Sequence, residues 1–135
     1  MRFLPLSILF YISLVMASFG EETHNIVLDD CQQKTSENEV LACFNRNYLI
    51  TTVDLSNSYE KAAARVKLID ETNGTNDAFS ALEDSQQAWI LHRNKTCKSY
   101  GEIGTNAVIK KPETAECLIR LTLERTKSLS KLYSK

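Results

Sequence analysis

The residues with the most specific chemistry in this chain are four cysteines, two histidines and one tryptophan. The cysteines stand at Cys31, Cys43, Cys97 and Cys117. Cysteine thiols can attack a substrate, hold a metal or oxidise to disulfides. Eleven residues separate the first pair and nineteen the second, without the short Cys-x2–4-Cys spacing of zinc modules. His24 and His92 are scattered along the chain, so no metal site is expected. An even count in an exported chain reads as two disulfides, and oxidised sulfurs have no thiolate to offer. The histidines are too far apart in sequence to suggest an acid–base pair, and His92 reads as a surface or boundary residue. The acids read as solvated helix faces, and no glycine-rich phosphate loop is present. These residues point to a protein that is not an enzyme and carries no cofactor.

One stretch concentrates the remaining signal. In SQQAWILHRNKTC every fourth residue gives Ser85, Trp89, Arg93 and Cys97, a single stripe of a helix. The spacing places Trp89 in a core, its indole N–H seeking a partner. Arg93, one turn on, is placed to lie along that ring and cap the core edge; the alternative reading is that the pair faces a partner. An acid from elsewhere, Glu116 or Glu124, is expected to pair with it.

The start of the chain supports export. Arg2 precedes an apolar run from Phe3 to Met16, then small residues at Ala17, Ser18 and Gly20. This is the pattern of a secretory signal peptide over residues 1–20, cleaved after Ala17 or, on our reading, Gly20. The run is short for a membrane span and contains Pro5, so no anchor is expected after cleavage. Losing Arg2 leaves 15 Lys and Arg against 17 Asp and Glu, a net charge of −2. That balance offers no basic footprint for nucleic acid. The mature domain, residues 21–135, is the size of one domain.

The elements that must position these groups are helical. Ser36 and Glu39 form a capping box ahead of a long helix. Its apolar face runs through Leu41, Phe44, Tyr48, Leu55, Tyr59, Ala62, Val66 and Ile69, with Thr52 filling one gap. Asn45, Arg46, Asp54, Glu60, Lys61, Arg65 and Lys67 are assigned to the outer face. Asn73-Gly74 ends the helix in a left-handed turn. A second helix from about Asp77 to Tyr100 carries Phe79, Leu82, Gln86, Trp89, Arg93 and Cys97, with Ala78, Ala88 and Ile90 beside them. A third begins at Pro112 and carries Cys117, Leu118, Leu121, Leu129 and Leu132. Residues 21–35 form an extended or loosely helical lead-in. The expected fold is all-α: a small up-down-up helical bundle with one long and two shorter helices, stapled by two disulfides. Cys31 sits just before the first helix and Cys43 two turns inside it. Cys97 ends the second helix and Cys117 opens the third. The expected pairs are therefore Cys31–Cys43 and Cys97–Cys117.

Four blocks of this sequence resemble the family of small exported domains named after the lysozyme inhibitor LprI. Cys31, Ser36, Glu39 and Cys43 fill the first block, with Ser in place of Thr. Leu55 and Tyr59 keep the apolar and aromatic members of the second, while Thr52 and Ser56 replace its Asp and Asn. Gln86, Ala88, Trp89, Arg93 and Cys97 fill the third, followed by the Gly104-Thr105 turn. Cys117, Thr122, Arg125 and Leu129 fill the fourth. The resemblance implies the helical disulfide-stapled fold and a periplasmic or secreted bacterial inhibitor whose protein partner is a lysozyme or another cell-wall hydrolase. On this reading the loop Tyr100 to Lys111 is the candidate contact surface. Tyr100 and Ile103 supply area, Lys110 and Lys111 reach carboxylates, and Glu102 meets a basic rim. The same loop also reads as a plain helix connector. The alternative is a non-catalytic envelope interaction module with another partner.

Overall fold

The computed structural model describes residues 26–101 and 109–134; the expected signal peptide, with Glu102 and Ile103, lies outside them. The lead-in is extended from Ile26 to Asp30 and then makes a single 3-10 turn over Cys31–Gln33. Three helices follow: α1 (Glu37–Asn73), α2 (Asp77–Lys98) and α3 (Pro112–Tyr133). The described residues contain no strand. At 37 residues against 22 and 22, α1 is about 55 Å long and its partners about 33 Å.

Local chemistry starts and stops each helix. Ser36 Oγ accepts the Glu39 backbone N–H, and the Glu39 carboxylate accepts the Ser36 N–H in return. Those bonds from Ser36 hold the Glu39 carboxyl below its ordinary pKa. At the far end Gly74, φ 67°, reverses the chain, and its N–H donates to the Asp70 carbonyl. Pro112 opens α3, where its missing N–H leaves no bond unmade.

The start of α2 is stabilised from outside itself. Asn76, at its N-terminus, gives no side-chain cap. Instead the Asp70 carboxylate of α1 accepts the N–H groups of Phe79 at 2.8 Å and Ala78 at 3.1 Å and the Thr75 hydroxyl at 2.8 Å. Burial of this carboxyl opposes its ionisation, but the three bonds outweigh that and hold its pKa below the ordinary value. The stabilisation is then complete above the unfolded-state pKa of about 3.9 and fades as pH falls through the lower folded-state value. Asp70→Asn should melt several degrees below the wild type at pH 7, and the gap should close towards pH 3. Melting curves of both proteins at the two pH values check this; a gap that does not change with pH would contradict the assignment.

Two apolar clusters hold the helices. Cys31, Cys43 and Phe44 pack with Cys97, Ile109, Ala115, Cys117, Leu118 and Ile119 at one end. Leu55, Ala62 and Val66 pack with Leu82 and Leu129 at the other, with Tyr59, Phe79, Trp89 and Tyr133 around them. This order makes α1 and α3 parallel and α2 antiparallel to both. Both disulfides join the expected partners, Cys31–Cys43 and Cys97–Cys117, each with Cα atoms 5.6 Å apart. The up-down-up bundle with one long and two shorter helices is the observed architecture.

Two assignments along α1 are corrected. Ile69, placed on the core face, is 39% exposed. The Tyr133 hydroxyl donates to Ser58 Oγ at 3.3 Å, so α3 ends three turns short of Ile69 and leaves α1 only α2 for company. Asp54, placed on the outer face, is buried. One long helix flanked by two others must bury more than a single stripe, and Thr51, Asp54 and Ser58 fall inside that wider face. On the shorter helices Ala88, Ile90 and Leu132 are exposed rather than covered.

Candidate functional site

The α2 stripe and its α3 counterpart meet where the four-residue spacing brings them. Trp89 is half-buried and Arg93 buried, one turn before the Cys97–Cys117 bridge. The Arg93 guanidinium lies 4.9 Å from the centroid of the Trp89 ring and 5.9 Å from that of Tyr48. Such placement over an aromatic face offsets part of the cost of burying a charge. Its Nε and Nη2 donate to Asn94 Oδ1 at 3.1 and 3.0 Å, and Nη1 donates to Thr122 Oγ1 at 3.5 Å. The expected acid partner is not used: Glu124 pairs with Arg120 at 3.1 Å instead, and Arg93 takes an amide and a hydroxyl.

A second guanidinium serves the same ring. Arg125 of α3 lies 5.9 Å from the Trp89 centroid. Its Nε donates to Gln86 Oε1 and an Nη2 hydrogen to Ser85 Oγ, both at 2.9 Å. Burial lowers the Arg125 pKa, against a smaller upward pull from Tyr59, and the group stays cationic at any physiological pH. Burial raises the Tyr59 hydroxyl above its ordinary value, with Glu83 adding to the rise and Arg125 opposing it. Gln86, Trp89, Arg93, Thr122 and Arg125 therefore converge on one α2–α3 seam, and Leu55 and Tyr59 reach the same cluster from α1.

The other candidate surface is the α2–α3 connection. Tyr100, Lys110 and Lys111 are exposed; Glu102 and Ile103 fall outside the described residues. The root of the connection is fixed twice. The Cys97–Cys117 bridge closes it on one side. On the other, Ile109 is 1% exposed, and its N–H and carbonyl meet the Asn45 side-chain amide at 3.3 and 3.5 Å. Asn45, placed on the outer face of the first helix, is half-buried here, and Ile109 was read only as part of the connection. An apolar residue just ahead of a helix start was the available signal, since such residues often pack back on the first turns.

Nothing else among the described residues groups chemistry in this way. No set of three or more His, Cys, Asp or Glu there is placed to hold a metal, and His92 is exposed on α2. No described helix is long and apolar enough to cross a membrane.

Two disulfides on three amphipathic helices, with a rigidly rooted connection, define a small stapled domain of the kind built for oxidising compartments. The chain belongs to the lysozyme inhibitor LprI family, whose model matches residues 29–129 and so most of the chain. Neither the curated proteins nor the solved structures searched gave a match.

Proposed function

We propose that the mature domain is a periplasmic or secreted inhibitor of a cell-wall hydrolase, with a lysozyme as the first target to test. Membership of a family named for lysozyme inhibition carries this reading. The two anchored ends of the connection support it, because groups fixed beforehand lose little freedom on binding. Lysozyme-type catalysis depends on a pair of carboxylates flanking the scissile bond. Lys110 and Lys111, exposed beside the buried Ile109 anchor, are positioned to offer cationic donors to such groups. Tyr100 adds apolar contact area.

The test is the clearing of a peptidoglycan suspension by lysozyme, with and without the purified mature domain. A dose-dependent slowing is expected, and Lys110→Gln with Lys111→Gln should weaken it about tenfold. Full lysozyme activity at a large molar excess of the domain would reject the proposal. The second reading, a non-catalytic envelope interaction module, then takes its place. It is favoured by Leu49 and Val53, one turn apart on α1 and 63% and 60% exposed, an uncovered apolar strip suited to a protein partner.

A further inference from the structure

The Trp89 seam holds two guanidiniums and, among the described residues, no carboxylate paired with either. Arg93 spends three of its donors on Asn94 and Thr122 and is buried. Arg125 differs. It is only half-buried, and its bonds to Gln86 and Ser85 use Nε and one Nη2 hydrogen. A guanidinium has five N–H donors, so the Nη1 pair and one Nη2 hydrogen have no partner among the described residues. Both acceptors that hold it are neutral, leaving its charge uncompensated. The two bonds to Gln86 and Ser85 and the Trp89 ring at 5.9 Å hold it in place. A cation that is partly desolvated, held in one orientation and not neutralised is what a carboxylate binds best, through paired N–H···O bonds.

We propose that Arg125 is a receptor for a carboxylate side chain of the partner, seated on the α2–α3 seam against Trp89. The proposal deepens the inhibitor reading and rests on it for the partner's identity: an acidic side chain of the bound hydrolase. Gln86 and Ser85 act as positioning residues that hold the fork open to solvent. Arg93, at 4.9 Å from the same ring, adds to the positive field without touching the ligand.

Trp89 is the sole tryptophan, so its emission reports on the site directly. Sodium acetate titrated into the mature domain, against sodium chloride at equal ionic strength, should give a saturable change in Trp89 fluorescence that chloride does not. Arg125→Gln should abolish the change. A measurement needing no variant accompanies it: the Arg125 Nε–H resonance should move with acetate, while those of Arg46 and Arg120, already paired with Asp29 and Glu124, stay in place. Equal responses to acetate and chloride, or equal movement of all three arginines, would overturn the proposal.

In the clearing assay Arg125→Gln should inhibit roughly 10- to 100-fold more weakly than the wild type, the usual loss for a hydrogen bond to a charged group. Wild-type-like inhibition by Arg125→Gln would remove Arg125 from the interface and leave the inhibitor reading intact. Acetate binding at Arg125 without inhibition by the wild type would do the reverse, keeping the carboxylate receptor and rejecting lysozyme as its partner.

Discussion

Replacing Cys97 and Cys117 together by serine will lower the melting temperature by about 10–20 °C, a loss of about 3 kcal/mol. The bridge spans a sequence separation of 20, and closing a loop of that size removes about that much conformational freedom from the unfolded chain. The same bond also sits inside the packing, since Cys97 is fully buried and Cys117 nearly so, within the cluster of Phe44, Ala115 and Leu118. Two serine hydroxyls there would need partners that the cluster does not supply. The Cys31–Cys43 pair spans a separation of 12, and its loss should cost slightly less on chain entropy alone. It fastens a lead-in already held by Asn47 to the Asp29 backbone, by Arg46 to the Asp29 carboxylate and by the packing of Leu28. Thermal melts of both double serine variants, followed by circular dichroism, give the comparison. A Cys97→Ser, Cys117→Ser protein melting within a few degrees of the wild type would show that packing alone closes the α2–α3 hairpin.

The helices and their staples were legible because each rests on local chemistry. A capping box, an Asn-Gly turn and a proline at the first helical position mark the boundaries of α1, α2 and α3 within a few residues. The sulfur pairing followed once the ends of those helices were known, since antiparallel neighbours bring Cys97 and Cys117 together. What the sequence hides is set by relative length and by contacts across the chain. Ile69 has the spacing of a core residue, and only the end of α3 beside Ser58 leaves it uncovered. Asp54 has the chemistry of a surface residue, yet it is buried. Asp70 caps a helix other than its own, through bonds eight and nine residues away that no single-helix periodicity contains.

The candidate site divides along the same line. Trp89 and Arg93 were placed together by a four-residue interval. The acceptors of Arg93 were not, because an amide beside it and a hydroxyl 29 residues on replaced the expected acid. Neutral acceptors keep the guanidinium bonded without forming a buried ion pair, whose desolvation often outweighs its Coulomb gain. They also leave the local charge positive in a domain that is weakly acidic as a whole, which is the electrostatic basis of the carboxylate receptor.

Trp89→Ala should cost about 3 kcal/mol, at the low end of the range for truncating large aromatic core residues, because the indole is half-buried rather than enclosed. Three losses combine. The ring leaves the apolar cluster of Leu55, Leu82 and Leu129. Arg93 and Arg125 lose the aromatic face at 4.9 and 5.9 Å, each contact being worth about 0.5–2 kcal/mol depending on desolvation. The guanidinium of Arg93, still buried, is then left beside a cavity. Trp89→Phe separates these contributions. It keeps most of the apolar area and a weaker aromatic face, and should cost about 1 kcal/mol. Urea unfolding followed at 222 nm measures both, since the variants lack the fluorophore. Pairing Trp89→Ala with Arg125→Ala should give less than the sum of the single losses, because each change already removes their shared contact. Strict additivity would mean that the ring and the guanidinium are neighbours without interaction, and Arg125 would lose the wall that orients it towards a partner's carboxylate.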